Sequence, residues 1–268
     1  MIRDTFDVLL VGRGVAASAT AMRIMQFATE PLSIVAVERF PQRRNGGLAY
    51  GAPGTAWHDV FNIQAGRMSI FREDVDDFLR WANDEADRRY WHPDWKGRTF
   101  AVSDAAPRCI YADYITDRLH QALAEAPEGT TYQESVGEVI DVEPRTNGGH
   151  QAVRIRVHDG TGEMIERIVQ ARHVVVATGN EFGRLAFTEA CYDHPAFVRL
   201  QYSADGYTRM RQVGEDDTVV IIGSALSGFD AAVTLGGSHL RCARGDRKAE
   251  RGDEPPPVGS NRSGLSTT

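Results

Sequence analysis

The sequence predicts an α/β fold in which a parallel sheet is followed by a β-meander. Three observations predict it. Phe6–Val11 and Leu32–Val37 are short, unbroken apolar runs, the pattern of strands buried on both faces. Between them, a glycine turn opens onto residues 15–27, where small and apolar side chains are dense enough for a largely buried helix that Pro31 stops. Strand, glycine turn, helix, strand is a βαβ unit, and its crossover implies parallel strands. Further on, Ala152–Val157 alternates well, Asp159-Gly160 is a hairpin turn, and Met164–Val169 follows as a return strand.

Residues 39–72 are rich in Gly, Pro and Arg without a period, and a loop of that length inside a domain is usually functional. Amphipathic helices are expected near Asp74 (Val75, Phe78, Leu79, Ala82) and near Tyr111 (Tyr111, Ile115, Leu119, Leu123), with Trp91–Trp95 as a packed surface loop between them. Val136–Val142 alternates imperfectly. His173–Val176 reads as a buried strand landing on Ala177-Thr178-Gly179, and Thr218–Ile222 as another landing on Gly223. A helix over Leu226–Leu235 is expected next. Arg241–Thr268 has no aromatic residue and a run of three prolines, so it is expected to be disordered.

Composition narrows the function classes. The chain has 268 residues, 42% hydrophobic, and a formal charge of −7, which argues against a broad electrostatic grip on nucleic acid. No apolar stretch approaches the roughly 20 residues of a membrane helix. The first residues lack a secretory signal, so the expected location is cytoplasmic and no membrane partner is expected. Cys109, Cys191 and Cys242 are far apart and form no C-x-x-C, which argues against a disulfide scaffold, a cysteine zinc site or a redox pair. The histidines form no H-E-x-x-H, so no metal is expected.

Four segments carry candidate chemistry. Gly12-Arg13-Gly14-Val15-Ala16-Ala17 is a G-x-G-x-x-A turn between strand and helix. There Gly12 permits the tight turn, Gly14 the approach of a pyrophosphate, and Ala17 close helix packing. Glu38 ends the next strand about 24 residues past Gly14, near the spacing for a carboxylate that accepts a ribose hydroxyl. The long loop, Arg43–Gly51 and on to Ser69, suits backbone contact to phosphates and a flat ring, or is simply solvated. Ala177-Thr178-Gly179-Asn180 lies at the carboxyl end of a strand, where open sheets bind ligands, or is a plain loop exit. Gly223-Ser224-Ala225-Leu226-Ser227-Gly228 reads as a second dinucleotide turn, with Ala225 in place of the middle glycine, or as an unoccupied turn. Arg39, Arg43 and Arg44 face phosphates or solvent.

Together these segments resemble the two-dinucleotide-binding flavoproteins related to flavin monooxygenases. More narrowly they resemble the FAD/NAD(P)-binding family with a G-L-A-Y-G loop and an N-x-x-A-x-R-M-S segment, here Gly47–Gly51 and Asn62–Ser69. The resemblance runs from about Asp4 to Leu240. It implies a Rossmann-like FAD-binding domain over 1–185, the start of a second, NAD(P)-binding domain over 186–240, and a tail over 241–268. It implies that Gly12, Arg13, Gly14, Val15, Ala16 and Ala17 cradle the FAD pyrophosphate, while Glu38 binds the adenosine ribose. By the same resemblance Val136 faces adenine, Thr178-Gly179 lies beside the flavin, and Tyr50, Asn62 and Met68 approach it. Gly223–Gly228 would take the NAD(P) pyrophosphate. In that architecture the second domain continues for several strands, and sequence after Leu240 does not resemble the family, so a C-terminally shortened chain is expected.

The leading functional expectation is therefore an FAD-dependent oxidoreductase in which NAD(P)H reduces the flavin and electrons pass to oxygen or another acceptor. The chemistry then belongs to the cofactor, and no acid or base residue is assigned. Two alternatives stand beside it. One is a non-catalytic nucleotide-binding remnant, or a component completed by a partner chain. The other is a single-site NAD(P)-dependent dehydrogenase, which the absence of a Tyr-x-x-x-Lys pair disfavours.

Overall fold

Strand β1 (Thr5–Val11), helix α1 (Val15–Phe27) and strand β2 (Ser33–Glu38) form the expected βαβ unit. They belong to a computed structural model that describes residues 5–51, 56–144, 149–158, 160–180, 183–223 and 225–239. The segment read as one long loop contains a 3-10 turn at Pro41–Gly46, a single helical turn α2 (Gly47–Tyr50) and a 3-10 turn at Ala65–Arg67. Then come α3 (Asp77–Arg80), running into a π-helical turn at Trp81–Glu85, α4 (Pro93–Lys96) and α5 (Ile110–Glu125). The β structure comprises β3 (Thr131–Val136), β4 (Glu138–Glu143), β5 (Gln151–His158) and β6 (Met164–Val176), and the chain goes on to α6 (Ala204–Arg211) and α7 (Leu226–His239).

One six-stranded sheet runs in the order β3-β2-β1-β6-β5-β4. The first four in that order are parallel, and β6-β5-β4 is the antiparallel meander. Alternation along the central strands divides the core. Val8, Leu10, Ile34 and Ala36 pack with α1 and α5 through Met22, Met25, Ile115 and Leu119. Leu9, Val35 and Val37 pack on the other face with Val153, Ile155, Val157 and Val169, so the meander curls over the sheet. Buried Asp77 accepts from Tyr114 Oη at 2.6 Å and Arg118 Nε at 2.9 Å, and Arg118 reaches Glu85 at 2.7 Å, which ties α3 to α5.

Several expectations are corrected. Strand β3 carries no apolar alternation in its sequence, Thr131-Tyr132-Gln133-Glu134-Ser135-Val136, because it is the outermost parallel strand and half-exposed. The single strand expected over Val136–Val142 breaks at Gly137 into the end of β3 and β4. Met164–Val169 and His173–Val176 are one strand, whose first half pairs antiparallel with β5 and whose second half pairs parallel with β1. The helix expected near Asp74 begins at Asp77, and the surface loop at Trp91–Trp95 holds α4 with Trp91 buried.

Thr218–Ile222 forms no strand among the described residues. Val220 is 78% exposed and Ile222 63%, because no neighbouring strand offers a ladder for their backbone. The helix after it runs to His239, past the expected Leu235. The tail over 241–268, and Asp159 of the expected hairpin turn, lie outside the described residues.

The register of β1 on β2 is pinned at its start. Asp7 Oδ2 accepts from Ser33 N at 2.8 Å and Ser33 Oγ at 2.7 Å, and Ser33 Oγ accepts from Asp7 N at 3.0 Å. These bonds, the Ser33 amide first, hold the Asp7 carboxyl below its ordinary 3.8. A lowered acid favours the ionised folded state, so its stabilisation is present above 3.8 and is lost as pH falls through the folded value. Urea unfolding of Asp7→Asn should show a loss of about 1 kcal/mol at pH 7. The variant's stability should also fall less than the wild type's between pH 5 and pH 3, the range around 3.8.

Candidate functional site

The carboxyl ends of β1, β2 and β6 meet at Gly12. Its N–H donates to Val37 O at 2.8 Å, and Ala177 N donates to Val11 O at 2.9 Å, so β2 and β6 both close on the end of β1. Gly12 has φ +100°, and a Cβ there would lie 2.5 Å from Ala177 O. Only glycine fits. Helix α1 starts at Val15 with Gly14 as its N-cap, without a side-chain cap and without an acidic residue in its first turn. The leading N–H groups of a helix have no partner within it, and here the positive end of the dipole faces no capping carboxylate. Such an end accepts an anionic group. Ala17 is fully buried where the helix meets the sheet.

Glu38 is buried, with both carboxylate oxygens anchored. Oε2 accepts from Arg13 N at 3.1 Å and Oε1 from Phe40 N at 2.9 Å. A carboxylate has about four acceptor positions, so two remain for hydroxyl donors. Val136 lies directly across from Glu38 in the β2–β3 register and is exposed, and Gly137 N donates to Glu38 O at 3.0 Å. Thr178 and Gly179 follow Ala177 on the other side of Gly12, exposed, with Gly179 at φ +82°. Thus the structure brings Gly12–Ala17, Glu38, Val136 and Thr178-Gly179 to one crest, where the chain order across the sheet reverses at β1.

The loop candidates divide between the crest's border and the core. Arg39 is exposed, pairs with Glu138 at 3.2 Å and stacks 4.6 Å over the Phe40 ring, which Arg43 also covers at 4.0 Å. Gly47 packs its backbone on Gly14, whose Cβ, were there one, would meet Gly47 Cα at 3.5 Å. The glycine loop is therefore the near neighbour of the α1 start. Tyr50 turns its ring into the core against Tyr111 (4.8 Å) and Phe61 (6.0 Å), and burial raises its hydroxyl pKa. Met68 is buried in that same core, while Asn62 is exposed.

At the second turn Gly223 has φ +110°, Leu226 opens α7, and Gly228 packs on Gly223 so closely that a Cβ would lie 2.4 Å from its carbonyl. Ala225 and Ser227 are exposed, and Ser227 O accepts from Gln201 Nε2 at 2.6 Å. Ser224 lies outside the described residues.

Sequence reasoning missed the side chain of Arg13, together with Glu134 and Tyr132. Arg13 is buried and pairs with Glu134 of β3, leaving Nε without a partner. The Tyr132 hydroxyl is likewise unpartnered, and burial pushes its pKa up. A polar strand carrying no alternation gave no signal for them. Among the described residues no group of three or more His, Cys, Asp or Glu is placed to hold a metal ion, and no helix is long and apolar enough to cross a membrane.

Residues 9–181 match the profile of a family described as FAD-NAD(P)-binding. No curated protein matches the chain. Among solved structures it is similar to ornithine hydroxylase from Pseudomonas aeruginosa (17% identity, TM-score 0.48, covering 74% of this chain and 45% of that one). It is also similar to bacillithiol disulfide reductase from Staphylococcus aureus (12%, 0.39, 66% and 39%) and to the cadaverine monooxygenase DfoA from Erwinia amylovora (13%, 0.41, 75% and 41%). The chain spans less than half the length of each of these.

The two glycines of the first turn should respond differently to alanine. Gly12→Ala forces a side chain into the left-hand region, at a cost of at least ~1–2 kcal/mol before the clash with Ala177 O is added. Gly14 has φ −84° and room for ordinary contact, so Gly14→Ala should cost under about 1 kcal/mol. Urea midpoints of the two variants against wild type measure the difference.

Proposed function

The chain belongs to the FAD-NAD(P)-binding family, and from that premise we propose that it is a flavin-dependent oxidoreductase that holds FAD along the Gly12 crest. The observation that carries this reading is the open start of α1, with no cap and no acid in its first turn, directly beside an anchored Glu38. In this reading the amides of Val15–Ala17 take the pyrophosphate, and Gly14 lets it approach. Glu38 uses its two remaining acceptor positions for ribose hydroxyls. Val136 and the Gly137 backbone border the adenine, and Thr178-Gly179 lie beside the ring system. The orphaned Arg13 Nε, buried under the same turn, supports a cradle with polar capacity to spare.

Bound flavin, reduced by NAD(P)H, would supply electrons to oxygen or another acceptor. The protein's own part is to orient that ring and keep its dinucleotide arm fixed. Gly223–Gly228 is the proposed turn for the nicotinamide dinucleotide. One observation favours the second reading, a nucleotide-binding component that acts with a partner chain: the apolar run Val219–Ile222 has no strand beside it among the described residues and is exposed.

Purified protein should be yellow and should release FAD on denaturation, read by its visible spectrum and by chromatography of the released cofactor. A colourless protein that binds NAD(P) alone would overturn the flavin reading in favour of a single-site dehydrogenase. Glu38→Ala should weaken FAD binding by about tenfold or more, the 1.5–3 kcal/mol of hydrogen bonds to a charged acceptor. Equilibrium titration of the stripped protein, followed by flavin fluorescence, measures it.

A further inference from the structure

A second cluster of ionisable side chains lies away from the crest, where α7 meets the body of the protein. Its centre is Arg108, in the segment leading into α5, which is 9% exposed. Its backbone and its guanidinium are both engaged. Its N–H donates to Asp59 O at 2.7 Å, its Nε to Val60 O at 2.8 Å, and its terminal nitrogen pairs with Asp230 Oδ2 of α7 at 3.1 Å. The guanidinium also stacks 5.0 Å from the Tyr202 ring, whose hydroxyl donates to the same Asp230 oxygen at 2.5 Å. One helical turn along α7, Thr234 Oγ1 lies 3.3 Å from His58 Nε2, and His58 in turn lies 3.7 Å from Asp59 Oδ1.

The face of α7 that carries Asp230, Ala231 and Thr234 is thus turned inward, while Phe229 is 67% exposed. The Asp230 carboxylate pairs with this permanent cation, while the Asp59 carboxylate lies beside His58. Burial, with the Asp230 charge adding to it, raises the Asp59 carboxyl above its ordinary 3.8, against the pull of the Ala56 amide, His58 and Arg108. Asp230, further toward the surface, is the carboxylate in direct contact with the guanidinium. On the other side of Arg108, the chain it grips continues into the loop of Asn62: Val60 bridges Pro107, and Phe61 N donates to Ala106 O at 2.9 Å.

We propose that Arg108 is a positioning residue that latches α7, and with it the Gly223–Gly228 turn, onto the loop that carries Asn62. It thereby sets where a nicotinamide dinucleotide held at the second turn would stand relative to a flavin held at the first. The latch itself is a property of the chain. Its consequence for the two nucleotides rests on the reading under Proposed function.

Hydrogen exchange of the full chain, with and without added FAD, tests it. Arg108→Met keeps much of the apolar stem and removes the charge, and Asp230→Asn removes the partner charge while leaving the Val60 and Asp59 contacts intact. Each variant should speed exchange of the α7 amides by tenfold or more while β1 and α1 keep wild-type rates. The double variant should be no faster than Arg108→Met alone, as expected when Asp230 acts through its contact with Arg108. Unchanged α7 exchange in both variants, additive effects in the double variant, or equal loss of protection in β1 and α1 would overturn the latch. A second readout separates positioning from mere support. The visible flavin band of wild type should shift when NAD(P)+ is added, and that shift should be lost in Arg108→Met at unchanged FAD content. If no variant, wild type included, retains flavin, the proposed function fails while the exchange data still decide the latch.

Discussion

Everything at the crest depends on one close approach of backbone to backbone. β2 and β6 both reach across to β1 at its last residue, and Gly12 is the position where all three meet. With the Ala177 carbonyl standing where a Cβ would be, a side chain at Gly12 would have to push β6 away from β1. The same turn directs the chain into α1 and presents Arg13 N–H to Glu38, so the helix start and the carboxylate are held in one rigid relation. A 3.1 Å bond from the turn to the second strand, and the Asp7–Ser33 bonds at the far end of the pair, fix that relation at both ends of the ladder.

The physical consequence is a helix start left open to an anionic group. Helix α1 begins without a cap or a first-turn acid, an arrangement that leaves its leading amides to a ligand. A protein that did not use those amides would gain roughly a few tenths of a kcal/mol by placing Ser, Thr or Asp at Gly14. Arg13 adds to this character from below. Its guanidinium is buried against Glu134, with one nitrogen left unpaired, an arrangement that costs stability unless a further polar group meets it.

How far the sequence showed this depends on how local each signal was. The βαβ unit was legible because its strands are buried on both faces and its helix is bounded by Gly14 and Pro31, so element ends fell within a residue or so of the observed ones. Gly12, Gly14, Ala17 and Glu38 were legible for the same reason, since spacing along one unit fixes their neighbours in space. Strand β3 was not, because at the sheet edge it buries only Ser135 and so needs no apolar alternation, and with it Glu134 and Tyr132 stayed hidden. Tyr50 and Met68 were legible as motif residues but not as packing residues. They lie in a motif that reads as ligand-facing, yet their side chains fill an aromatic core that no one-dimensional period reveals. Arg108 and Asp230 are far apart in sequence, and nothing in either segment announces that they meet.

The amides that open α1 are where a bound dinucleotide would be felt first. Backbone amide chemical shifts of the isotope-labelled chain, followed as FAD is titrated in, test this most directly. The largest shifts should fall on residues 13–17, with smaller ones at Glu38 and at Thr178-Gly179. Saturable binding that leaves those amides unmoved, or shifts confined to other surfaces, would contradict it.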